Sequence, residues 1–317
     1  MIEIGYKLSS EEHGPADLVR YARRAEEAGF AFAAISDHFH PWTDKQGHSP
    51  FVWAVLGGIS QATQELRVLT GVTCPSIRVH PVIVAQAAAT AAVMFEGRFT
   101  LGLGTGENLN EHITAQRWPA LPERLEMLEE AVQVIRGAWD GGLFSHRGRH
   151  YTVENARIYD LPRERIPIAI AGTGPKSAGL AGRVADGFVG LAPDEDLLDM
   201  FSASGGEAKP RYAEVNVCWA EKENEARSTV MESWPMSGIK GQLMQELALT
   251  SDFAAAGDMV TEEDVMETVV VGPDPEAYLA ELRKFSDAGY DHIWLHQIGP
   301  DQEGFFDFFE RQIAPKL

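Results

Sequence analysis

The stretch IEIGYKLSSEEHGPADLVRYARRAEEAGFAFAAISDH, residues 2–38, contains one complete strand–helix–strand unit. Its first five residues predict a short strand, and residues 32–36 predict the next one. Between them, Pro15 suits a first helical turn and Gly29 suits a helix end. The apolar residues between these two follow the spacing of one helical face, namely Leu18, Val19, Ala22 and Ala25.

The same alternation recurs along the rest of the chain. Further strands are predicted at residues 66–71, 99–104, 166–171, 187–191, 212–219 and 292–296. Helices are predicted at residues 50–62, 81–94, 123–139, 175–185, 275–289 and 304–313. Repeated strand–helix units indicate a parallel sheet covered by helices. A count of about eight strands, without an early GxGxxG motif, favours a (β/α)8 TIM barrel over an open sheet. We predict a single domain that spans residues 1–317.

Three segments interrupt this alternation of strands and helices. Residues 141–158 predict a hairpin, whereas residues 194–211 and 227–261 are long, weakly patterned and partly helical. Barrel insertions commonly lie at the C-terminal face of the strands and shape access to the site. We therefore expect all three segments to lie at that face.

The net charge of −20 disfavours some partners and says little about chemistry. It repels polyanions, so nucleic acids and anionic membranes are not expected partners. No apolar run is long enough to span a bilayer, and the first residues do not form a leader pattern. We therefore expect a cytoplasmic protein with a small-molecule substrate.

The two cysteines and the histidines do not predict a metal site. Cys74 and Cys218 belong to no CxxC motif, so two free thiols are favoured over one long-range disulfide. The other histidines near strand ends, His40, His48 and His296, lack the spacing of metal ligands.

Polar residues follow several of the predicted strands, where barrel enzymes place catalytic groups. His38 is a candidate base because its pKa lies near neutrality, and Asp37 beside it can orient a ring. Trp42 offers an apolar wall, and Glu107 can hold a proton if burial raises its pKa. Each residue alone has a structural alternative, as a turn cap or a packing residue. The prediction of a catalytic site rests on the position that they share, just after predicted strands.

A glycine turn, AGTGPK at residues 171–176, precedes a predicted helix. Free N–H groups at such a helix start suit an anion, and a plain connecting turn is the alternative.

Several of these stretches resemble the F420-dependent glucose-6-phosphate dehydrogenases, a branch of the luciferase-like barrel enzymes. The resemblance runs nearly end to end. It is carried by SDHFHPW at 36–42, GHSPF at 47–51, GLGTGENLNE at 102–111, IAGTGP at 170–175, ADGF at 185–188 and GYDH at 289–292. It implies a luciferase-like barrel, coenzyme F420, hydride transfer and a homodimer.

The resemblance also implies roles for individual residues. Asp37 would contact the deazaflavin ring, and His38 would take the proton of a substrate hydroxyl as hydride leaves its carbon. Trp42 would shield the reacting centre, and Glu107 would serve proton transfer near a ring nitrogen. The division of proton transfer between His38 and Glu107 stays open.

The same resemblance implies a cofactor channel. The Gly71–Val72 peptide would match a non-proline cis bond behind the ring. The channel would be lined by Cys74, Asn110, Thr173 and Gly174, with the turn that begins at Gly172 near the cofactor phosphate.

The chain departs from the sugar-phosphate enzymes where those hold the phosphate with cations. Residues 190–196 read GLAPDED and residues 266–269 read METV, so acids stand in both places. Lys240 is the one candidate for a remaining phosphate partner. Because acids repel a phosphate, we expect a neutral hydroxyl or carbonyl substrate and not glucose 6-phosphate.

Three alternatives stay open. The chain can be an FMN-dependent luciferase-like monooxygenase, or an F420-dependent sugar-phosphate dehydrogenase despite the missing cations. It can also be a cofactor-binding or storage protein without turnover.

Overall fold

A ring of parallel strands forms the centre of the computed structural model, which describes residues 2–317. The strands are β1 (Glu3–Leu8), β2 (Phe32–Ile35), β3 (Arg67–Thr70), β4 (Phe99–Leu103), β5 (Phe144–Arg147), β6 (Thr152–Ala156), β7 (Ile168–Ala171), β8 (Gly187–Gly190), β9 (Arg211–Cys218), β10 (Val269–Val271) and β11 (His292–Gln297).

The helices lie between these strands. They are α1 (Pro15–Glu27), α2 (Val52–Ala62), α3 (Pro81–Met94), α4 (Asn108–Glu111), α5 (Leu121–Ala138), α6 (Pro175–Val184), α7 (Glu195–Phe201), α8 (Glu223–Ser233), α9 (Leu243–Glu246), α10 (Thr250–Gly257), α11 (Glu262–Met266), α12 (Pro275–Ala288) and α13 (Gln302–Phe308). Two π-helical turns, Ser202–Gly206 and Phe309–Ile313, extend α7 and α13.

Eight of the strands close into a barrel. Their order is β9-β11-β1-β2-β3-β4-β7-β8, and β8 pairs with β9 to complete the ring. Every pairing in the ring is parallel, as the crossover helices require. The predicted (β/α)8 barrel is therefore confirmed. The short strand β10 pairs with the C-terminal half of β9, with Val269 opposite Asn216.

The core has two layers, one on each side of the strands. Apolar residues on the outer face pack against the helices in one large cluster. A smaller cluster fills the barrel interior and comprises Phe32, Ala34, Leu69, Ala169, Val189 and Trp294. Gly5 is required here, because a Cβ atom on it would lie 2.5 Å from the Phe32 ring. This interior packing forms the floor on which the site is built.

Local signals explain where the helices begin and end. The Asp274 carboxylate accepts a hydrogen bond from the Glu276 N–H at the start of α12. Gly289 ends the same helix at φ +110°, a left-handed conformation that glycine adopts without steric cost. Strand β11 begins three residues later, so the chain turns sharply back into the barrel.

The hairpin predicted at residues 141–158 is confirmed, but its expected place is wrong. Strands β5 and β6 pair antiparallel and connect α5 to β7. A helix-to-strand connection emerges at the N-terminal ends of barrel strands. The hairpin then runs along the outside, where Tyr151 and Val153 pack on Ala131 and Val134 of α5. The Tyr151 hydroxyl at its tip donates to the Ser76 carbonyl oxygen after β3, but no hairpin residue lines the cavity at the strand C-terminal face.

The other two segments differ from each other. Residues 194–211 are no insertion, because α7 and its π-helical turn form the barrel helix that follows β8. Gly205, at φ +103°, breaks the helical periodicity and obscures the pattern in the sequence. Residues 227–261 do follow a strand C-terminus, as expected. Their apolar side chains form a separate cluster that includes Trp234, Met236 and Phe253.

Among residues 2–317, no helix is long and apolar enough to cross a membrane. Both cysteines are free and buried, which confirms the prediction of two free thiols.

Candidate active site

A cavity of about 810 Å³ opens at the C-terminal ends of the barrel strands. Its wall combines residues of β1, the loops after β2, β3, β4 and β7, and the segment that follows β9. This volume lies within the usual range for sites that bind a cofactor or a drug-sized ligand. The polar strand-end residues predicted from sequence are distributed in and behind this wall.

His38 is set back between two residues that line the cavity, Glu11 and Trp42, and its side chain is 9 % exposed. Its Nδ1 atom is 3.3 Å from Glu11 Oε1 and 3.3 Å from the His40 carbonyl oxygen. Because both neighbours are acceptors, Nδ1 carries the proton of the neutral ring. The lone pair of the neutral imidazole therefore lies on Nε2, where it can accept a proton.

Glu11 is a site residue that the sequence analysis missed. Its carboxylate accepts hydrogen bonds from the hydroxyls of Ser36, at 2.7 Å, and Ser9, at 3.1 Å. Burial opposes its ionisation, but the charges of His38 and Lys7 and the bond from Ser36 outweigh burial and lower the pKa of Glu11. The available signal was its place after β1, because His38 and Ser36 are brought to it only by the fold.

Trp42 forms an apolar part of the cavity wall, as expected. Its ring meets the His38 ring edge-on, with centroids 4.9 Å apart, and also meets Phe253 at 5.1 Å. Its backbone N–H donates to Gln46 Oε1 at 2.8 Å. The indole is therefore fixed beside the candidate base and keeps that side of the cavity apolar.

Glu107 lines the cavity, but Asn110 does not. The buried Asn110 side chain accepts hydrogen bonds from the backbone N–H groups of Phe39, at 2.8 Å, and His40, at 3.1 Å. Its amide donates to Glu107 Oε2 at 3.4 Å. Asn110 therefore joins the loop of the candidate base to Glu107, which corrects its expected place in the cofactor channel.

Asp37 also lies behind the cavity wall instead of in it. Its carboxylate accepts from Thr73 Oγ1 at 2.8 Å and from Arg78 Nη2 at 3.0 Å. Arg78 also lies 3.5 Å from the buried Glu111 carboxylate, which accepts two backbone N–H groups. Asp37 thus belongs to an ion-pair network, and sequence reasoning missed Arg78 and Glu111.

The Gly71–Val72 peptide is cis, as the resemblance implied, and both residues line the cavity. Gly104 faces this turn, and a Cβ atom there would lie 2.6 Å from a Val72 methyl group. Cys74 follows in the chain but is buried beneath the wall, with Sγ 2.8 Å from Ser76 Oγ. Burial and the nearby Glu111 raise the pKa of this thiol well above its usual range.

The glycine turn lines the cavity through Gly172, Thr173 and Gly174, as expected. Gly174 precedes α6, and the Ser177 hydroxyl donates to its carbonyl oxygen at 2.8 Å. A Cβ atom on Gly174 would meet nothing within 4 Å, so the space in front of this turn is open. The free N–H groups at the start of α6 suit an anionic group of a ligand.

Neither Lys240, the candidate phosphate partner, nor Asp194, one of the acids in place of the cations, lines the cavity. Lys240 is exposed and pairs with Asp264 at 2.6 Å. Asp194 caps α7 by accepting the Leu197 N–H at 3.1 Å. Among the described residues that line the cavity, the lysines are Lys7 and Lys176.

The barrel and its strand-end cavity define a class of enzymes that bind a cofactor at this face. The model of the family described as luciferase-like monooxygenase matches residues 1–292. The chain belongs to this luciferase-like family.

Relatives with assigned activities match the whole chain. An F420-dependent glucose-6-phosphate dehydrogenase of Nocardia farcinica is 34 % identical over 100 % of this chain and 98 % of the relative. A solved F420-dependent secondary alcohol dehydrogenase, in complex with an F420–acetone adduct, has a TM-score of 0.91 and 29 % identity over 98 % of each chain. The F420-dependent tetrahydromethanopterin reductase of Methanopyrus kandleri has a TM-score of 0.81 at 20 % identity over 99 % of each chain and shares the fold.

Proposed function

We propose that this chain is a single-domain, F420-dependent oxidoreductase that transfers a hydride between the deazaflavin and a hydroxyl or carbonyl substrate. The Glu11–His38 pair beside the cavity carries the proposal, because such an oxidation needs a base for the hydroxyl proton. The full-length likeness to F420-dependent dehydrogenases supports the choice of cofactor.

The cavity suits this cofactor. Gly71 and Val72 form part of its wall, and the open glycine turn at residues 172–174 can receive a phosphate. Bound F420 supplies a ring carbon that accepts or donates hydride. The protein has to hold the ring and the substrate together and move one proton.

His38 and its neighbours perform the proton transfer. In the oxidative direction, His38 Nε2 accepts the proton of the substrate hydroxyl, and Glu11 stabilises the imidazolium that forms. In the reductive direction, His38 returns this proton to the carbonyl oxygen. Trp42 keeps bulk water from the reacting atoms, and Glu107 provides a second carboxyl group in the cavity wall. The contacts of Nδ1 favour His38 over Glu107 as the base.

The charges of the cavity favour a neutral substrate. Its described wall contains the carboxylates of Glu11, Glu107 and Glu214, and one of its lysines, Lys7, is paired with Glu214 at 3.1 Å. A phosphate on the substrate would meet this surplus of negative charge. The aromatic rings of Trp42 and Trp234 suit an alcohol or ketone with an apolar body.

Titration of the purified protein with F420 and with FMN, followed by fluorescence, tests the proposal. We expect F420 to bind and its absorbance to bleach when a neutral alcohol is added. Bleaching by glucose 6-phosphate instead would assign a sugar-phosphate dehydrogenase. Binding of FMN alone would favour the monooxygenase alternative. His38→Ala distinguishes an enzyme from a storage protein. For an enzyme, the variant should still bind F420 but should lose the bleaching that the wild-type protein shows.

We also propose that the protein is a homodimer that works in the cytoplasm. Helices α2 and α3 leave an apolar groove at the surface, in which Phe51 is 62 % and Ile83 is 53 % exposed. Exposed apolar patches commonly mark interaction sites, and a second copy of this chain is the occupant we propose. The two free thiols agree with a reducing compartment.

A further inference from the structure

Lys7 is a buried lysine at the floor of the cavity that the proposed chemistry does not use. It lies on β1, and its side chain is 8 % exposed. Its ammonium group donates to the Gly71 carbonyl oxygen at 3.0 Å and lies 3.1 Å from Glu214 Oε2. An ammonium group has three N–H donors. Among residues 2–317 these two acceptors account for two of them, and Lys7 lines the cavity.

The groups around Lys7 hold it in place. Trp294 Nε1 donates to Glu214 at 2.7 Å, and His296 Nδ1 lies 3.9 Å from the other Glu214 oxygen. His296 Nε2 in turn lies 3.1 Å from Glu12. Burial opposes ionisation of Glu214, but Lys7, His296 and the Trp294 bond hold its pKa at about 2. The ammonium group is thus fixed by Glu214 of β9, which β11 residues hold in turn, and by Gly71 after β3.

The barrel places Lys7 across the cavity from the glycine turn. The turn follows β7, and β7 is four strands away from β1 in either direction around the ring of eight. The two elements therefore lie on opposite sides of the barrel. In F420 a sugar-alcohol chain separates the phosphate from the deazaflavin ring. A phosphate at the glycine turn therefore directs the ring towards Lys7.

We propose that Lys7 donates its third N–H to a negatively charged oxygen of the deazaflavin ring. The inference rests on the proposed function. The ring offers two such oxygens: its acidic hydroxyl, which ionises in the oxidised cofactor, and its pyrimidine carbonyl, which gains negative charge on reduction. Lys7 would stabilise the ionised hydroxyl of the oxidised cofactor in the first case and the reduced anion in the second, and Glu214 limits this effect by partly neutralising the ammonium group.

Two measurements on the F420-bound protein distinguish these oxygens. The absorbance of bound oxidised F420 is followed against pH, and the dissociation constants of oxidised and reduced F420 are compared. If the hydroxyl is the acceptor, Lys7→Met raises the pKa of the bound hydroxyl by about one unit. If the carbonyl is the acceptor, Lys7→Met weakens binding of the reduced form about tenfold relative to the oxidised form. Glu214→Gln, which leaves the Lys7 charge unpaired, should instead lower the pKa of the bound hydroxyl or strengthen binding of the reduced form.

The double variant Lys7→Met/Glu214→Gln removes both charges and leaves no unpaired buried ion. Because the double variant and Glu214→Gln differ only at residue 7, the difference between their measured values is the contribution of Lys7. This comparison remains possible if the single variant Lys7→Met misfolds. If the double variant and Glu214→Gln agree in both measurements, the inference is overturned while the proposed function stands. If the wild-type protein does not bind F420, both are overturned.

Discussion

Single residues around the cavity hold their charges in buried pairs and triads. Glu11 and His38 form one such pair, and Arg78 joins Asp37 to Glu111 in another group. A buried charge is tolerated only when partners replace the water that it has lost. The charged groups at this site therefore depend on buried partners for their position and ionisation.

Glu11→Gln tests the role of the carboxylate beside the base. The glutamine amide oxygen can still accept a hydrogen bond from His38 Nδ1–H, but it cannot stabilise an imidazolium by charge. We expect kcat to fall about 10²-fold, with little change in the affinity for F420. Ser9→Ala is the matched control, because it removes one hydrogen bond to Glu11 and leaves the charge in place. Wild-type kcat in Glu11→Gln would show that the pair is structural.

Arg78→Met tests the network behind the cavity wall. The change leaves the buried carboxylates of Asp37 and Glu111 without their cation, so the free energy of unfolding should fall by about 3–5 kcal/mol. Urea denaturation at neutral pH measures the change. Arg227→Met is the control, because its ion pairs are exposed and screened by solvent and should contribute little to stability. Equal losses in the two variants would contradict this account.

Glu214 gives a stability effect with a defined dependence on pH. Its pKa is lowered from 4.5 to about 2, so its stabilising contribution is present in full above pH 4.5 and is lost as pH falls towards 2. We expect Glu214→Gln to be less stable than the wild-type protein by a constant amount above pH 5. The difference should narrow below about pH 4. Urea denaturation at a series of pH values measures it, and a difference that stays constant down to pH 3 would refute the assignment.

At the scale of elements, connectivity decides which segments reach the site. The segment after β9 contributes Trp234 and Gln245 to the cavity wall because it follows a strand C-terminus. The β5–β6 hairpin follows a helix and lies on the outer face of α5. Its anchor is Glu130, which accepts the backbone N–H groups of His150 and Tyr151 at 3.0 and 2.8 Å.

Glu130→Ala should loosen the hairpin without affecting the site. Loss of the carboxylate leaves the N–H groups at residues 149–151 without their acceptor, so their hydrogen exchange should accelerate. The affinity for F420 should stay within about twofold of wild type, because the hairpin does not line the cavity. Glu154→Ala, which removes an exposed pair with Arg147, is the control. A large loss of F420 affinity in Glu130→Ala alone would place the hairpin in the site after all.

At the scale of the whole molecule, the surface combines a net charge of −20 with one apolar groove between α2 and α3. Like charges on two copies repel each other, so association requires an apolar patch that outweighs the repulsion. The groove offers such a patch, with Phe51, Ile83 and Met94 exposed.

Ile83→Glu tests the proposed dimer. A buried carboxylate at the centre of the groove would oppose association, so light scattering should show a dimer for the wild-type protein and a monomer for the variant. Leu143→Glu is the control, because Leu143 is 74 % exposed but lies at the start of the hairpin, away from the groove. A wild-type monomer, or a dimer that survives Ile83→Glu, would refute the proposed interface.

The sequence by itself determined the barrel, its family and most of the motifs. Strands and helices follow from apolar periodicity and from caps such as Pro15 and Gly289, which act over a few residues. The cis peptide at Gly71–Val72 was accessible only through the family resemblance. Helix α7 was obscured because its π-helical turn breaks the periodicity at Gly205.

Only the tertiary structure decided which of the predicted polar residues face the cavity and which hold them from behind. Asp37, Cys74 and Asn110 lie behind the wall, whereas Glu11 and Lys7, which the motifs did not indicate, line it. Partners that decide these positions are often far away in sequence, as Glu214 is from Lys7 and Thr73 is from Asp37. Local pattern carries no information about such contacts, because closure of the barrel ring is what brings these side chains together.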